Sequence, residues 1–212
     1  MNYFYIDTSS SYLYSGIISN NKLISEVKIN FGSELSKYTV SEIQKLFKDA
    51  NISPKDIDKI IVVSGPGSFT GIRIGMTFAK IFAYSMNKEI TEITSLDAMA
   101  KSINSKKIIV PLIDARRGYV YAEAIKNDKT IIEPQYMKLE DLIDKLNNLN
   151  EEYIFITNDK QIKIENVIRY NPDILNIVLS YASKKSINPH LIEPTYLKLT
   201  EAEENLGTNN DN

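Results

Sequence analysis

The order of apolar and polar positions divides the first half of the chain into strands and helices. Two alternating runs flank Asn20-Asn21, and asparagine tolerates the positive φ angles of a tight hairpin turn, so an antiparallel meander is expected there. Between 34 and 50 the apolar residues recur at helical spacing and predict a helix with one apolar face. The predicted elements are strands at 3–7, 12–18, 22–29, 59–63 and 89–93 and helices at 34–50, 71–86 and 95–100, the last capped by Ser95 and Asp97.

The second half repeats this order. It predicts strands at 107–114, 119–125, 130–137 and 153–157 and helices at 139–149 and 173–186, the latter with Pro172 in its first turn. The first strand of each half ends in Ile-Asp, at Asp7 and at Asp114. The sequence therefore predicts an α/β protein of two similar lobes, 1–103 and 104–212, facing each other across a cleft. This is the ribonuclease H-like arrangement of actin, hexokinase and Hsp70 (the ASKHA type), here followed by a frayed Asn-rich tail at 205–212.

Composition limits the chemistry that the chain can perform. Its 212 residues include no cysteine and one histidine, His190, which excludes disulfides, a cysteine-based zinc site and a cysteine nucleophile. The start of the chain lacks the pattern of a signal peptide and no run is apolar enough for a membrane span, so we expect a cytoplasmic protein with no membrane contact. A net charge of -2 argues against a protein devoted to gripping nucleic acid, since Lys106, Lys107, Arg116 and Arg117 form only a small basic cluster.

A glycine-rich run, Ser-Gly-Pro-Gly-Ser-Phe-Thr-Gly-Ile-Arg-Ile-Gly, connects a predicted strand to a predicted helix at 64–75. Gly65 and Gly67 allow a close approach to the backbone, as a phosphate-binding loop requires. The run lacks the Gly-Lys-Ser/Thr ending of a P-loop, and Thr70 stands where a dinucleotide-binding motif has its third glycine. A tight turn that docks a helix is the favoured interpretation.

The helix that follows carries small residues at every fourth position, which are Gly71, Gly75, Ala79 and Ala83. Glycine inside a helix costs about 1 kcal/mol relative to alanine, so close packing against another backbone is the expected compensation. Apolar residues flank this small-residue ridge on more than one side and need cover there too. The pattern leaves open whether the protein's own first helix or a partner's helix supplies the cover.

Asp7 and Asp114 are the candidate chemical groups of the cleft, with Thr8, Gly65 and Gly67 as neighbours. Paired carboxylates hold a metal with its waters in phosphoryl-transfer clefts, so an ATP-dependent small-molecule kinase of the same fold is one alternative. An aspartate at the end of a strand also serves simply as a turn former. No Ser-His-Asp set exists except through His190, and we expect neither a metal site nor a catalytic residue.

Three segments of the sequence together resemble one protein family. The glycine-rich run, Thr94-Ser95-Leu96-Asp97-Ala98 and the stretch from Asp114 to Tyr121 are together similar to the TsaB (YeaZ) family of bacterial tRNA threonylcarbamoyladenosine biosynthesis proteins. Ile6-Asp7-Thr8-Ser9 and Pro194-Thr195-Tyr196-Leu197-Lys198 resemble the family's terminal segments, so the likeness extends from about residue 3 to about residue 200. The sequence departs from the family at Leu35-Ser36, where a histidine is often found, and at Tyr119, where an acidic residue is common.

The resemblance implies a noncatalytic protein, a degenerate paralogue of the TsaD transferase that acts as its required partner without a cofactor. It implies a heterodimer with TsaD through helices of the first lobe, a larger complex with the TsaE ATPase, indirect contact with tRNA, and self-pairing when the protein is alone. A metallopeptidase, suggested by older naming of the wider family, is a further alternative. The predicted partner-binding residues are Leu35, Tyr38, Gly71, Arg73, Gly75, Met76, Ala79, Phe82 and Ala83.

Overall fold

The first lobe is built on a mixed sheet whose strands all come from the first half of the chain. The computed structural model describes residues 1–198. Strands β1, β2 and β3 form the antiparallel meander, and β1 then pairs in parallel with β4, and β4 with β5, giving the order β3-β2-β1-β4-β5. The elements are β1 (Asn2–Asp7), β2 (Tyr12–Ser19), β3 (Lys22–Asn30), α1 (Leu35–Ala50), β4 (Lys59–Val63), α2 (Phe69–Met86), β5 (Glu89–Ile93) and α3 (Ser95–Lys101).

The second lobe repeats this topology. Its sheet has the order β10-β9-β6-β7-β8, with β6, β7 and β8 antiparallel and β6, β9 and β10 parallel, so β6 takes the place of β1. The elements are β6 (Ile108–Asp114), β7 (Tyr119–Lys126), β8 (Lys129–Lys138), α4 (Leu139–Asn147), β9 (Tyr153–Ile156), β10 (Val167–Ile168) and α5 (Ile174–Tyr181). The prediction of two similar lobes of the ribonuclease H-like, ASKHA type is confirmed.

Helices cover both faces of the first sheet, but they come from both halves of the chain. Helices α1 and α2 cover one face over an apolar core that includes Phe4, Ile60 and Ile72. Helix α5, which follows the second sheet in the chain, packs on the other face together with Ala98 of α3. Conversely, Met99 and Ala100 of α3 pack on the second sheet. A boundary at residue 103 therefore separates the two sheets, but a helix from each half of the chain packs on the sheet of the other half. As a domain boundary, residue 103 stays a prediction.

Most predicted elements are present with ends shifted by one or two residues, and three details differ. Helix α5 ends at Tyr181 rather than 186, and its N-cap is Asp173, whose side chain accepts a hydrogen bond from the Asn176 N–H, so Pro172 lies before the helix. Helix α3 is capped by Thr94 in a capping box with Asp97, not by Ser95. Strand β10 has only two residues and was not predicted. The predicted tail at 205–212 lies outside the described residues.

The predicted hairpin is confirmed, with Asn20 and Asn21 at φ 50° and 59°. Within residues 1–198, none of the helices combines the length and apolarity that crossing a bilayer requires.

Candidate functional site

A cleft of about 1140 Å³ lies where the carboxyl ends of β1 and β6 face each other. Asp7 and Asp114 both line it, as the repeat predicted, and Gly67 lines it from the loop before α2. Thr8 and Gly65, both buried in the first lobe, are not among the lining residues. Three of the five predicted cleft residues are therefore brought together.

Asp7 lies in a polar pocket of tyrosines at the floor of the cleft. Its carboxylate accepts a hydrogen bond from the Ser9 N–H at 2.8 Å, and the residue is 3% exposed. Burial raises the pKa of Asp7, while the hydrogen bonds from Ser9 oppose that rise. The Tyr5 and Tyr170 hydroxyls have no hydrogen-bond partner among residues 1–198, and burial, then the nearby Asp7 charge, raises the pKa of both phenols. Asp7 therefore lies in the buried, hydrogen-bonded environment of a carboxyl group with a structural role, rather than in the exposed environment of a metal-binding carboxylate.

Asp114 is paired with a second aspartate that sequence reasoning missed. The Asp114 N–H donates to Asp159 Oδ2 at 2.7 Å, and Asp114 Oδ1 accepts from the Arg116 N–H at 3.0 Å. Burial raises the pKa of Asp159, and the Asp114 N–H offsets part of that rise. Asp159 follows β9, which has the place in the second sheet that β4 has in the first. This position is the sequence signal that could have identified it.

Carboxylates are not grouped for metal binding in the described residues. Between residues 1 and 198, no group of three or more His, Cys, Asp or Glu side chains is arranged to hold a metal ion. The kinase alternative, which needs Asp7 and Asp114 to act with a metal, stays a prediction without added support.

The glycine-rich loop is packed against the turn that follows β1. The Ser68 N–H donates to the Ser9 carbonyl at 2.7 Å, and a Cβ at Gly67, where φ is +154°, would lie 2.2 Å from the same oxygen. The Ser95 N–H donates to the Gly65 carbonyl at 2.8 Å, which ties the loop to α3 as well. Ser68 then caps α2 by accepting from the Gly71 N–H. The contacts are those of a turn that docks a helix.

The small-residue ridge of α2 packs against the protein's own first lobe at Gly71 and Gly75, and its role as a partner surface stays a prediction. A Cβ added at Gly71 would lie 2.1 Å from the Thr8 carbonyl oxygen, and one at Gly75 would lie 2.3 Å from Thr8 Oγ1. Thr8 Oγ1 donates to the Gly71 carbonyl at 2.7 Å. The end of β1 therefore packs closely against α2 at Gly71 and Gly75, a contact that the sequence pattern could not assign to the protein itself or to a partner. Gly71, Gly75, Met76, Ala79 and Ala83 are all buried, as is Leu35 of α1.

The other predicted partner-binding residues lie nearer to solvent. Tyr38 stacks on Phe31 with ring centroids 5.1 Å apart, and Phe82 is half-buried among the aromatic rings of the first core. Arg73 is exposed, with its guanidinium carbon 3.8 Å from the centroid of the Phe69 ring. Helices α1 and α2 also expose apolar residues outward, among them Val40 and Ile81 at 51% and 60% exposure, and neither of these two is among the predicted partner-binding residues. In the sequence, such a residue can be recognised as an apolar position outside the buried stripe of its helix.

Comparisons with known proteins agree with this architecture. The family model for TsaD, tRNA N6-adenosine threonylcarbamoyltransferase, matches residues 32–205. A Bacillus subtilis (strain 168) protein named tRNA threonylcarbamoyladenosine biosynthesis protein TsaB is 29% identical over 216 residues, covering 93% of this chain and 94% of its own. A protein of the same name from Buchnera aphidicola subsp. Schizaphis graminum (strain Sg) is 28% identical over 195 residues, covering 88% and 90%.

A solved structure shows the same fold over nearly the whole chain. It is a Pseudomonas aeruginosa protein described as similar to the peptidase YeaZ, and it superposes with a TM-score of 0.80 at 14% identity, covering 93% of this chain and 99% of that one. The TsaD model matches well over half of the 212 residues, and the full-length sequence relatives share one name. The chain accordingly belongs to the TsaD family and, within it, to the TsaB (YeaZ) proteins of tRNA threonylcarbamoyladenosine biosynthesis.

Proposed function

We propose that this protein is a noncatalytic subunit that binds and stabilises the TsaD transferase. The complex would form N6-threonylcarbamoyladenosine at position 37 of tRNAs that read codons starting with A. TsaE would join it in a larger assembly, in the cytoplasm where the tRNA is modified, and without TsaD the protein would pair with itself through the same helices. The observation that supports partner binding best is the apolar outer surface of α1 and α2.

On this outer surface, α2 presents Ile74, Phe78 and Ile81, which follow one another at intervals of four and three residues on one side of the helix. Ile74 and Phe78 are half-buried and Ile81 is 60% exposed. Helix α1, which covers the same face of the sheet, exposes Val40. The three α2 residues form an apolar strip on one side of the helix, and an exposed apolar patch is typical of a protein interaction site.

The poor catalytic equipment of the cleft supports a noncatalytic role. His190 lies outside the cleft lining and packs edge-on against Tyr84, with ring centroids 5.0 Å apart. The Ser68 hydroxyl is engaged in capping α2, and Asp7 is held by Ser9. An activated nucleophile needs an adjacent base, and among residues 1–198 the cleft presents no histidine for that role.

Co-purification with the TsaD homologue tests the proposal through Ile81→Glu. A charge placed in a buried interface has to be desolvated, so we expect at least about 30-fold weaker binding, the loss of about 2 kcal/mol typical of a hot-spot residue. Ile24→Glu is the matched control, since Ile24 is 43% exposed on β3 in the same lobe. Far-UV circular dichroism of both variants confirms the fold.

Two results would contradict the proposal. One is TsaD binding that Ile81→Glu leaves unchanged. The other is a normal threonylcarbamoyladenosine content of tRNA in cells depleted of this protein.

A further inference from the structure

The turn between β6 and β7 holds two arginines in a backbone conformation that arginine seldom adopts. Among the described residues, the non-glycine positions with positive φ are Asn or Asp except for Arg116 and Arg117, at 67° and 55°. Asn and Asp tolerate the left-handed region because their short polar side chains bond locally, whereas other side chains are strained there. Two long cationic side chains are therefore held where Asn or Gly would be the relaxed choice, which indicates that the side chains themselves are needed.

These arginines open onto a pocket of about 570 Å³ beside the interlobe cleft. Lys163 and Tyr119 line the same pocket, and Asp114 is the one acidic residue among 1–198 that lines it. The Asp114 carboxylate is already bonded to the backbone N–H of Arg116. Within residues 1–198, Arg116, Arg117 and Lys163 form no ion pair with a carboxylate. The pocket thus carries three cations that no carboxylate of residues 1–198 neutralises in a direct pair.

A stack of tyrosine rings continues from this pocket across the sheet. Tyr119 and Tyr136 stack nearly parallel, with centroids 4.8 Å apart and planes at 9°. The Lys198 ammonium lies 5.4 Å from the centroid of Tyr136, and both tyrosines are half-buried. The arginines of the pocket therefore lie on the Tyr119 side of the stacked pair, and Lys198 lies on the Tyr136 side. We name this set, Arg116, Arg117, Tyr119, Tyr136, Lys163 and Lys198, the basic tyrosine surface.

We propose that the basic tyrosine surface contacts RNA directly, with phosphates at the three cations of the pocket and an unpaired base against the tyrosine stack. Unpaired cations bind phosphate oxygens, and aromatic side chains that accept stacked bases are typical of proteins that bind single-stranded RNA segments. An acidic peptide would use the cations, but only an aromatic residue beside its carboxylates would use the rings as well, whereas every nucleotide carries a base beside its phosphate. The inference rests on the proposed function, which makes the RNA the tRNA that TsaD modifies.

The contact is local and of modest strength. The first turn of α4, which borders the pocket at Leu139, carries Glu140 and Asp141, and the whole chain has a net charge of -2. We therefore expect weak but measurable tRNA binding by the isolated chain, and we expect the surface to position tRNA on the TsaD complex.

The salt dependence of tRNA binding tests the surface. Unmodified tRNA that reads an A-starting codon is titrated with the TsaD complex, and with the isolated chain, between 50 and 200 mM salt. In Arg116→Gln/Arg117→Gln/Lys163→Gln, the slope of log K against log salt should be less steep by about 2, since each lost phosphate contact to a single strand removes about 0.7. Lys22→Gln/Lys55→Gln/Lys185→Gln is the control with the same change in charge at exposed sites elsewhere, and it should keep the wild-type slope.

The tyrosine stack is tested separately. Tyr136→Leu should weaken tRNA binding about fivefold or more, the value of one stacked base, and Tyr136→Phe should bind as the wild type does. If the triple variant keeps its TsaD binding and the wild-type salt slope, the RNA contact is overturned and the proposed function stands. If wild-type protein fails to co-purify with TsaD, the proposed function is overturned, while the slope of the isolated chain still decides the RNA contact.

Discussion

Gly75 lies where α2 crosses the end of β1, and its missing side chain makes that crossing fit. A Cβ there would lie 2.3 Å from Thr8 Oγ1. We expect Gly75→Ala to lower the free energy of unfolding by about 1–3 kcal/mol through overpacking, although alanine gains about 1 kcal/mol in helix propensity. Urea unfolding measures the change, and in a Thr8→Ala background, where only an ordinary contact to Cβ remains, most of the loss should disappear. Equal losses in both backgrounds would contradict the steric explanation.

Glu123 is a buried carboxyl group at the joint between the lobes. It is 2% exposed in the bulged part of β7, and its Oε1 has no hydrogen-bond partner among residues 1–198. Burial, and then the charges of Asp97 and Glu133, raises the pKa of Glu123 from 4.5 to about 8, against the opposing charge of Lys101. The group should therefore be protonated in the folded protein at neutral pH.

The raised pKa of Glu123 predicts a loss of stability as the pH rises. Below 4.5 the carboxyl binds a proton in both states; between 4.5 and about 8 the unfolded chain releases it while the folded protein keeps it, so the free energy of unfolding falls across that window. One pKa unit corresponds to about 1.4 kcal/mol, which makes the loss a few kcal/mol. Urea unfolding of wild type and Glu123→Gln between pH 5 and pH 8.5 should show the variant gaining relative stability with pH.

The matched control for that experiment is Glu140→Gln, which removes an exposed carboxylate from the first turn of α4. Its difference from wild type should change little over the same range. A difference between Glu123→Gln and wild type that stays constant with pH would show that the carboxyl titrates alike in the folded and unfolded states.

At the scale of elements, local pattern predicts strands and helices well but not what covers them. The ends of β4 and β5 follow from apolar runs bounded by polar turns, and the hairpin at Asn20-Asn21 follows from its turn residues. The ridge of α2 signals close packing, but periodicity contains no information on what provides it; at Gly71 and Gly75 the contact is with Thr8 at the end of β1. Helix α5 ends earlier than the sequence pattern predicts because tertiary hydrogen bonds fix the segment at 182–186. The Lys59 ammonium, for example, donates to the Ala182 carbonyl.

The candidate site shows the same division between local and tertiary information. Asp7 and Asp114 were predictable because each follows an Ile at the end of equivalent strands, β1 and β6. Asp159 and Tyr170 were not, since they reach the cleft only through the placement of β9 and the segment after β10. Arg116 and Arg117 of the predicted basic cluster line the pocket beside the cleft, but the third cation of that pocket, Lys163, is far away in sequence.

At the scale of the whole molecule, α5 makes the first sheet dependent on the second half of the chain. Ile174, Ile177 and Val178 are at most 1% exposed and pack on the sheet face that carries Tyr5 and Ile61. The following segment is bonded to the first lobe as well, through the Ile187 N–H to the Ile90 carbonyl and the Thr195 N–H to the Ser64 carbonyl. The first half of the sequence therefore does not contain its own complete core.

This dependence predicts that a fragment of residues 1–103 does not fold to a native-like lobe. Each fully buried aliphatic side chain contributes about 1.5–3 kcal/mol, so losing the three of α5 removes stability comparable to the whole 5–15 kcal/mol of a typical domain. The fragment should show no cooperative urea transition and should bind a hydrophobic dye, whereas residues 1–198 should unfold in a cooperative transition and bind little dye. A cooperative transition in the fragment, with fixed near-UV signals, would instead establish residue 103 as a true domain boundary and reduce α5 to an accessory cover.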